Sequence, residues 1–338
     1  MSKDLTEEQQ GREAVAIIDA DTIAFRYAAG CEKRSVLVRY LPTGSEKEFD
    51  NRTAFKDFLN SKGMPYKEHL YSISDVQQVY SIHNAQRAID ALLKRITQHL
   101  RASEVFLFLG GGDSFRNALQ LPKPYKAGRS DIIKPVHLKT LREYLVKEHS
   151  AVDYTGTGIE ADDALTMQAY DSLSKGKYPV ICTIDKDAWQ SQGCAFMDWT
   201  AEEFKVQHMP ELGSLNKTKQ GIKGTGLMFL CYQVLAGDAA DTYKPYELSS
   251  LYYGPSTAYN AIKDCKSPPA LLKTVLQEYK RLYPAPILYK DHMGGACTKD
   301  YKEMLRMYWR TAYMLRHAED EGSADEFFMK YGVNIAEE

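Results

Sequence analysis

The sequence predicts an α/β fold, a mostly parallel central sheet flanked by helices, followed by a smaller helical domain. Three observations predict it. Short apolar runs recur at residues 15–18, 105–109, 151–154, 179–184 and 195–197, and they are continuous rather than alternating, as in strands buried on both faces. Helical patterns lie between most of these runs, which is the alternation of a parallel sheet. After about residue 207 the strand-like runs give way to helical ones.

Taken in order, Val15-Ala16-Ile17-Ile18 reads as the first strand and runs into Asp19-Ala20-Asp21-Thr22. Residues 23–29 form a short helix. Residues 31–74 read as an insertion that begins with a hairpin over 35–49, turning at Pro42-Thr43-Gly44. Residues 75–100 keep a spacing of three to four between Val79, Ile82, Ala85, Ile89, Leu92, Leu93, Ile96 and Leu100, which predicts one long helix. The run 105–109 is the second strand and leads into Gly110-Gly111-Gly112-Asp113-Ser114-Phe115-Arg116. Residues 116–149 carry eight Lys or Arg against three acids, a net +5 in a chain whose net charge is −2. Any nucleic-acid surface is therefore local, built on a basic loop and a helix over 136–147. A third strand at 151–154 precedes Glu160-Ala161-Asp162-Asp163 and a helix over 160–173. A fourth, at 179–184, ends in Asp185-Lys186-Asp187, and 195–197 gives a fifth. Beyond a polar loop over 213–226, helices are expected at 227–235, 256–263, 268–282, 299–316 and 323–331. The domains are then 1–206, with the insertion 31–74 and the basic segment 116–150, and 207–338. The stripe Leu305, Trp309, Tyr313 reads as core.

Carboxylates follow four strand ends and so gather at one edge of the sheet, where open α/β sheets bind ligands. One such pair could be a helix cap. Five clusters, counting Asp238 and Asp241, are harder to explain that way, because buried carboxylates in contact repel one another. Oxygen-rich clusters suit Mg²⁺ or Mn²⁺, and two ions are a known device for displacement at a phosphodiester. No histidine or cysteine spacing indicates zinc, and Gly110-Gly111-Gly112 is neither a dinucleotide nor an NTPase loop. Scattered cysteines, an N-terminus unlike a signal peptide and no run near the ~20 apolar residues of a membrane span imply a cytoplasmic protein.

Ile17-Ile18-Asp19-Ala20-Asp21-Thr22 resembles the nucleophile motif of haloacid-dehalogenase-type phosphatases. That reading makes Asp19 a nucleophile but leaves the other acidic and basic motifs unexplained. Ile18-Asp19-Ala20-Asp21, Gly112-Asp113-Ser114-Phe115-Arg116, Pro124-Tyr125-Lys126-Ala127-Gly128-Arg129, Gly158-Ile159-Glu160-Ala161-Asp162-Asp163, Ile184-Asp185-Lys186-Asp187 and Ala236-Gly237-Asp238-Ala239-Ala240-Asp241 together resemble, in order, the motifs of the flap endonuclease / 5′-to-3′ exonuclease family. The likeness is to its bacteriophage exonucleases and the 5′-nuclease domain of bacterial DNA polymerase I.

This resemblance implies a PIN-like nuclease core and a two-metal 5′-to-3′ exonuclease or flap endonuclease. Its substrate is DNA with 5′ ends or flaps, extending to RNA of RNA–DNA hybrids, in phage replication or recombination. It implies Asp19, Asp113, Glu160 and Asp162 around a first ion, and Asp163, Asp185, Asp187, Asp238 and Asp241 serving a second. Lys126 and Arg129 would contact the scissile phosphate, and Arg116 a neighbouring phosphate. Tyr125 would either stack on the terminal base or fold onto the sheet edge. Gly254, Ser256 and Thr257 resemble the second half of the family's helix-two-turn-helix, whose helix N-terminus offers a phosphate site. The preceding turn, Lys244-Pro245-Tyr246-Glu247-Leu248-Ser249, departs from the family pattern, so that motif is degenerate. A catalytically silent DNA-binding protein of the same fold is the remaining alternative.

Overall fold

The computed structural model describes residues 11–129 and 133–337. In chain order its elements are β1 (Ala14–Asp19), α1 (Ala20–Gly30), β2 (Glu32–Tyr40), β3 (Ser45–Phe49), α2 (Arg52–Ser61), β4 (Tyr71–Val79), α3 (His83–Leu100), β5 (Glu104–Leu109), α4 (Leu138–His149), β6 (Val152–Asp153), α5 (Ala161–Ser174), β7 (Tyr178–Cys182), β8 (Ala195–Met197), β9 (Val206–His208), β10 (Ser214–Thr218), β11 (Gly221–Thr225), α6 (Gly226–Ala236), α7 (Pro255–Ile262), α8 (Pro268–Leu282), β12 (Ile287–Lys290), β13 (Ala296–Lys299), α9 (Tyr301–Ala312) and α10 (Ala324–Lys330).

The central sheet has the order β6-β5-β1-β7-β8-β9. The first five of these run parallel and β9 pairs antiparallel to β8. All five expected strands are therefore present, and the sheet is mostly parallel as expected. β1 lies at its middle, with Ile18 opposite Leu107 on one side and Cys182 on the other. Val15, Ala16, Ile17 and Ile18 are fully buried, as continuous apolarity predicts for a strand covered on both faces. Because β1, β5, β6 and β7 point the same way, the segments leaving them emerge at one edge.

The chain divides into two compact units. Among the described residues, one comprises 11–22, 94–129 and 149–337, the other 23–93 and 133–148. This is not the expected division at 206/207. The reason lies in the first unit, where the C-terminal helices share a core with segments from before residue 206. The wholly buried α6 packs with α7, α8, α9 and the turn after β7, and Leu121 and Tyr125 belong to the same apolar cluster as Trp309 and Tyr308. Leu305, Trp309 and Tyr313 are core, as the stripe predicts.

In the second unit β3-β2-β4 form an antiparallel sheet, with Val36 and Val38 packed on Phe55 and Leu59 of α2. The hairpin expected over 35–49 is β2-β3, turning through Gly44 at φ 71°. The single helix expected over 75–100 is a strand and then a helix. Tyr71 through Val79 pair with β2, and α3 begins only at His83. Val79 and Tyr80 are exposed and serve no helix face, whereas Ala85, Ile89, Leu92, Leu93 and Ile96 keep the helical stripe buried. The polar loop expected over 213–226 is instead the β10-β11 ribbon, and a second ribbon, β12-β13, lies where no strand was expected.

Candidate active site

The acidic residues fall into two sets that the sequence does not separate: those matched by a cation and those facing one another. Both sets belong to the first unit.

The matched set centres on Arg116. This side chain is fully buried. Its Nη1 donates to Asp163 at 2.7 Å and Glu160 at 2.9 Å, and Nη2 donates to Asp163 at 2.9 Å. Nε donates to the Thr311 carbonyl at 2.9 Å and Nη2 to the Tyr313 carbonyl at 2.6 Å. Burial opposes its charge, but Asp163 and Glu160 outweigh that and hold the guanidinium firmly protonated. Expected to bind a phosphate, Arg116 is instead spent inside the protein, and Asp163, expected near a metal, is its bidentate partner.

Glu160 is the N-cap residue of α5. It also accepts from the Lys126 ammonium and, at 3.1 Å, from the Tyr125 hydroxyl. Burial opposes its ionisation, yet Arg116 and Lys126 hold its carboxyl below the usual range. Tyr125 is buried, and its hydroxyl also bonds Asp241 at 3.1 Å. The Tyr125 ring packs in the apolar cluster of the C-terminal helices, with its hydroxyl turned to the acids. Lys126 adopts φ 55°, donates its backbone N–H to the Asp241 carbonyl at 2.9 Å, and brings its ammonium within 3.9 Å of the Asp241 carboxylate. Asp238 is buried and paired with Lys186.

The second set is Asp19, Asp162, Asp185 and Asp187. Asp19 ends β1, with one oxygen taking the Thr22 N–H at 3.1 Å and the other the Thr183 hydroxyl at 2.7 Å. Burial raises its carboxyl pKa despite those bonds, and Asp185 adds to the rise. Asp162 is pushed well above the carboxylate range by burial and then by Asp185 and Asp19. Asp187 is buried and accepts from Gln233 at 2.5 Å. Burial, followed by Asp185, raises it to about 7. Asp185 caps its own turn, accepting from the Asp187 N–H at 2.9 Å. Asp19, Asp162 and Asp187 are thus each penalised by burial and by another of the set.

Hard oxygen donors in mutual repulsion are the chemistry that a divalent cation relieves. The donor set fits such an ion, although among the described residues no three His, Cys, Asp or Glu side chains stand close enough to hold one as they are. Asp113 is exposed in the loop after β5, with no ion pair or hydrogen bond to the other acids among the described residues. The Arg129 side chain lies outside the described part of the structure. Gly254, Ser256 and Thr257 form the accessible N-terminus of α7. Among the described residues, no hydrogen bond or ion pair links them to the acids.

Four participants were missed in the sequence. Thr183 bonds Asp19 and also accepts the Asp185 N–H at 3.0 Å. Lys186 neutralises Asp238, and Gln233 holds Asp187. Gly110 N–H donates to Asp21 at 2.6 Å, joining the ends of β1 and β5. A hydroxyl two residues before an acid, and a lysine between two acids, were visible signals. Gln233, one polar residue in an otherwise nearly apolar helix, was another.

No family model matches the chain, and no curated protein matches it. Among solved structures the chain is similar to the flap endonuclease of bacteriophage T5 in a pseudo-enzyme-product complex with DNA and metal ions. The identity is 13%, the TM-score 0.48, and the match covers 96% of this chain and 100% of that one. It is also similar to a mutant T5 5′-exonuclease, at 14% identity and TM-score 0.46, covering 89% of this chain and 86% of that one. A third match is T5 5′-exonuclease with zinc bound, at 15% identity and TM-score 0.43, covering 79% of each.

Proposed function

We propose that this chain is a metal-dependent nuclease that hydrolyses phosphodiester bonds near DNA 5′ ends. The observation that supports it most is the repulsion within Asp19, Asp162, Asp185 and Asp187, which the protein's own cations leave standing while pairing Glu160, Asp163 and Asp238. Those four acids would hold Mg²⁺ or Mn²⁺. A divalent cation there would supply Lewis-acid polarisation of a phosphate oxygen. The chain's own groups do the rest. Thr183 and Gln233 fix the carboxylates to which they bond. Lys126, whose charge also reaches Asp162, stabilises negative charge developing on the phosphate. To do so its ammonium leaves Glu160, so substrate and Glu160 compete for one cation. The ordered motifs support the narrower assignment of a 5′-to-3′ exonuclease or flap endonuclease using two ions, with Arg129 a second phosphate contact and the α7 N-terminus a duplex contact. They also support a phage replication or recombination role, with RNA–DNA hybrids as further substrates.

The test is incubation of 5′-labelled blunt, nicked and flapped duplexes with Mg²⁺, with a chelator control and p-nitrophenyl phosphate in parallel. Mg²⁺-dependent release of labelled oligonucleotides is expected. Nitrophenol release with intact DNA would transfer the assignment to a phosphatase with Asp19 as nucleophile.

A further inference from the structure

The end of α9 is held by side chains that come from the acidic edge of the sheet. A helix leaves its last carbonyls without intrahelical partners. Here Arg116 takes those of Thr311 and Tyr313, and Gln190, three residues after Asp187, takes that of Ala312 at 3.0 Å. The contact is returned: the Leu315 N–H donates to Asp163 at 3.0 Å and the Met314 N–H to the Gln190 side-chain oxygen at 3.3 Å. One guanidinium thus joins the first turn of α5 to the segment that closes α9.

We propose that Arg116 is a positioning residue for the nuclease site: by binding Asp163, Glu160 and the end of α9 together, it fixes the first turn of α5 so that Asp162 faces Asp19 and Asp185. This rests on the nuclease reading above. Arginine suits the task because its planar fork reaches four acceptors in fixed directions, which a lysine ammonium cannot. Asp163 and Asp162 are neighbours on a helix, about 100° apart in direction. Clamping the first sets the direction of the second. Arg116 itself never touches substrate, since it is fully buried.

The test compares wild type with Arg116→Lys, which keeps the charge but loses the fork, and with the double variant Arg116→Met/Asp163→Leu, which removes both buried charges so that neither is stranded. Arg306→Lys, on the same helix and paired with Asp325, is the control. Mn²⁺ binding is read by electron paramagnetic resonance without DNA, amide exchange at Leu315 by mass spectrometry, and cleavage under single turnover. Loss of such a supporting contact typically weakens metal affinity by ~10–100-fold. That loss is expected in both Arg116 variants, together with faster exchange at Leu315 in Arg116→Lys, while Arg306→Lys binds as wild type does. A folded Arg116→Lys with wild-type Mn²⁺ affinity and cleavage would overturn the proposal alone. A wild type that neither binds Mn²⁺ nor cleaves DNA would overturn the nuclease reading and this proposal with it.

Discussion

Asp162 and Asp163 are adjacent in sequence, yet one is penalised by burial and by Asp185, Asp19 and Glu160, and the other is locked to a buried arginine. The cluster Glu160-Ala161-Asp162-Asp163 was legible as a functional feature because its charge density demands compensation. What each acid does was not legible, since that depends on which cation arrives from residue 116 or 126. Arg116 was misplaced for the same reason: a basic segment suggests an outward surface, and only the fold shows that this member points inward. Asp187 gives a pH test in the chelated protein. Its carboxyl rises from 3.8 to about 7 on folding. A raised carboxyl stabilises the fold fully below the unfolded value, and that contribution is lost as pH climbs to about 7. Asp187→Asn keeps the acceptor for Gln233 and removes the charge. It should melt a few °C above wild type at pH 8 and close to wild type at pH 4; a lower melting point at pH 8 would contradict the assignment. Lys126→Ala should slow single-turnover cleavage by roughly 10²-fold while changing DNA affinity much less, as seen by comparing the single-turnover rate with the dissociation constant. A loss confined to affinity would make Lys126 an anchor only.

At the scale of elements, β1, β7 and the second half of β5 were readable because burial on both faces forces continuous apolar runs. The start of α5 also depends on a close approach. A Cβ on Gly110 would sit 2.6 Å from the Ala161 backbone nitrogen, so Gly110→Ala has to push the helix start away from β5. Overpacking of this kind costs typically 1–3 kcal/mol, and denaturant unfolding should show a loss of about that size, with cleavage reduced more than stability alone explains. Unchanged stability would mean the two elements separate freely. The ribbons β10-β11 and β12-β13 were not readable because their strands are only five and four residues long, too short for a period to show. β4 was misread because Val79 and Ile82 happen to continue the spacing of α3 backwards, while pairing with β2 is a long-range contact that no local period reports.

The boundary expected at residue 206 marked a real change, from mostly parallel strands to mostly helices, but not a physical division. Buried Arg116 and Gln190 reach the end of α9, and α6 packs under the turn that carries Asp187, so the helical region is part of the scaffold of the acidic edge. Sequence order and packing order differ here because three separated segments fold as one unit. The central claim is that the mutually repelling carboxylates at this edge serve phosphodiester hydrolysis through a divalent cation. The most direct measurement is single-turnover cleavage of a 5′-labelled flapped duplex in Mg²⁺ by wild type and Asp162→Asn, with DNA affinity measured alongside in chelator. Cleavage by wild type, its loss in the folded variant and near-equal affinity are the predicted result; a variant that cleaves at the wild-type rate would contradict it.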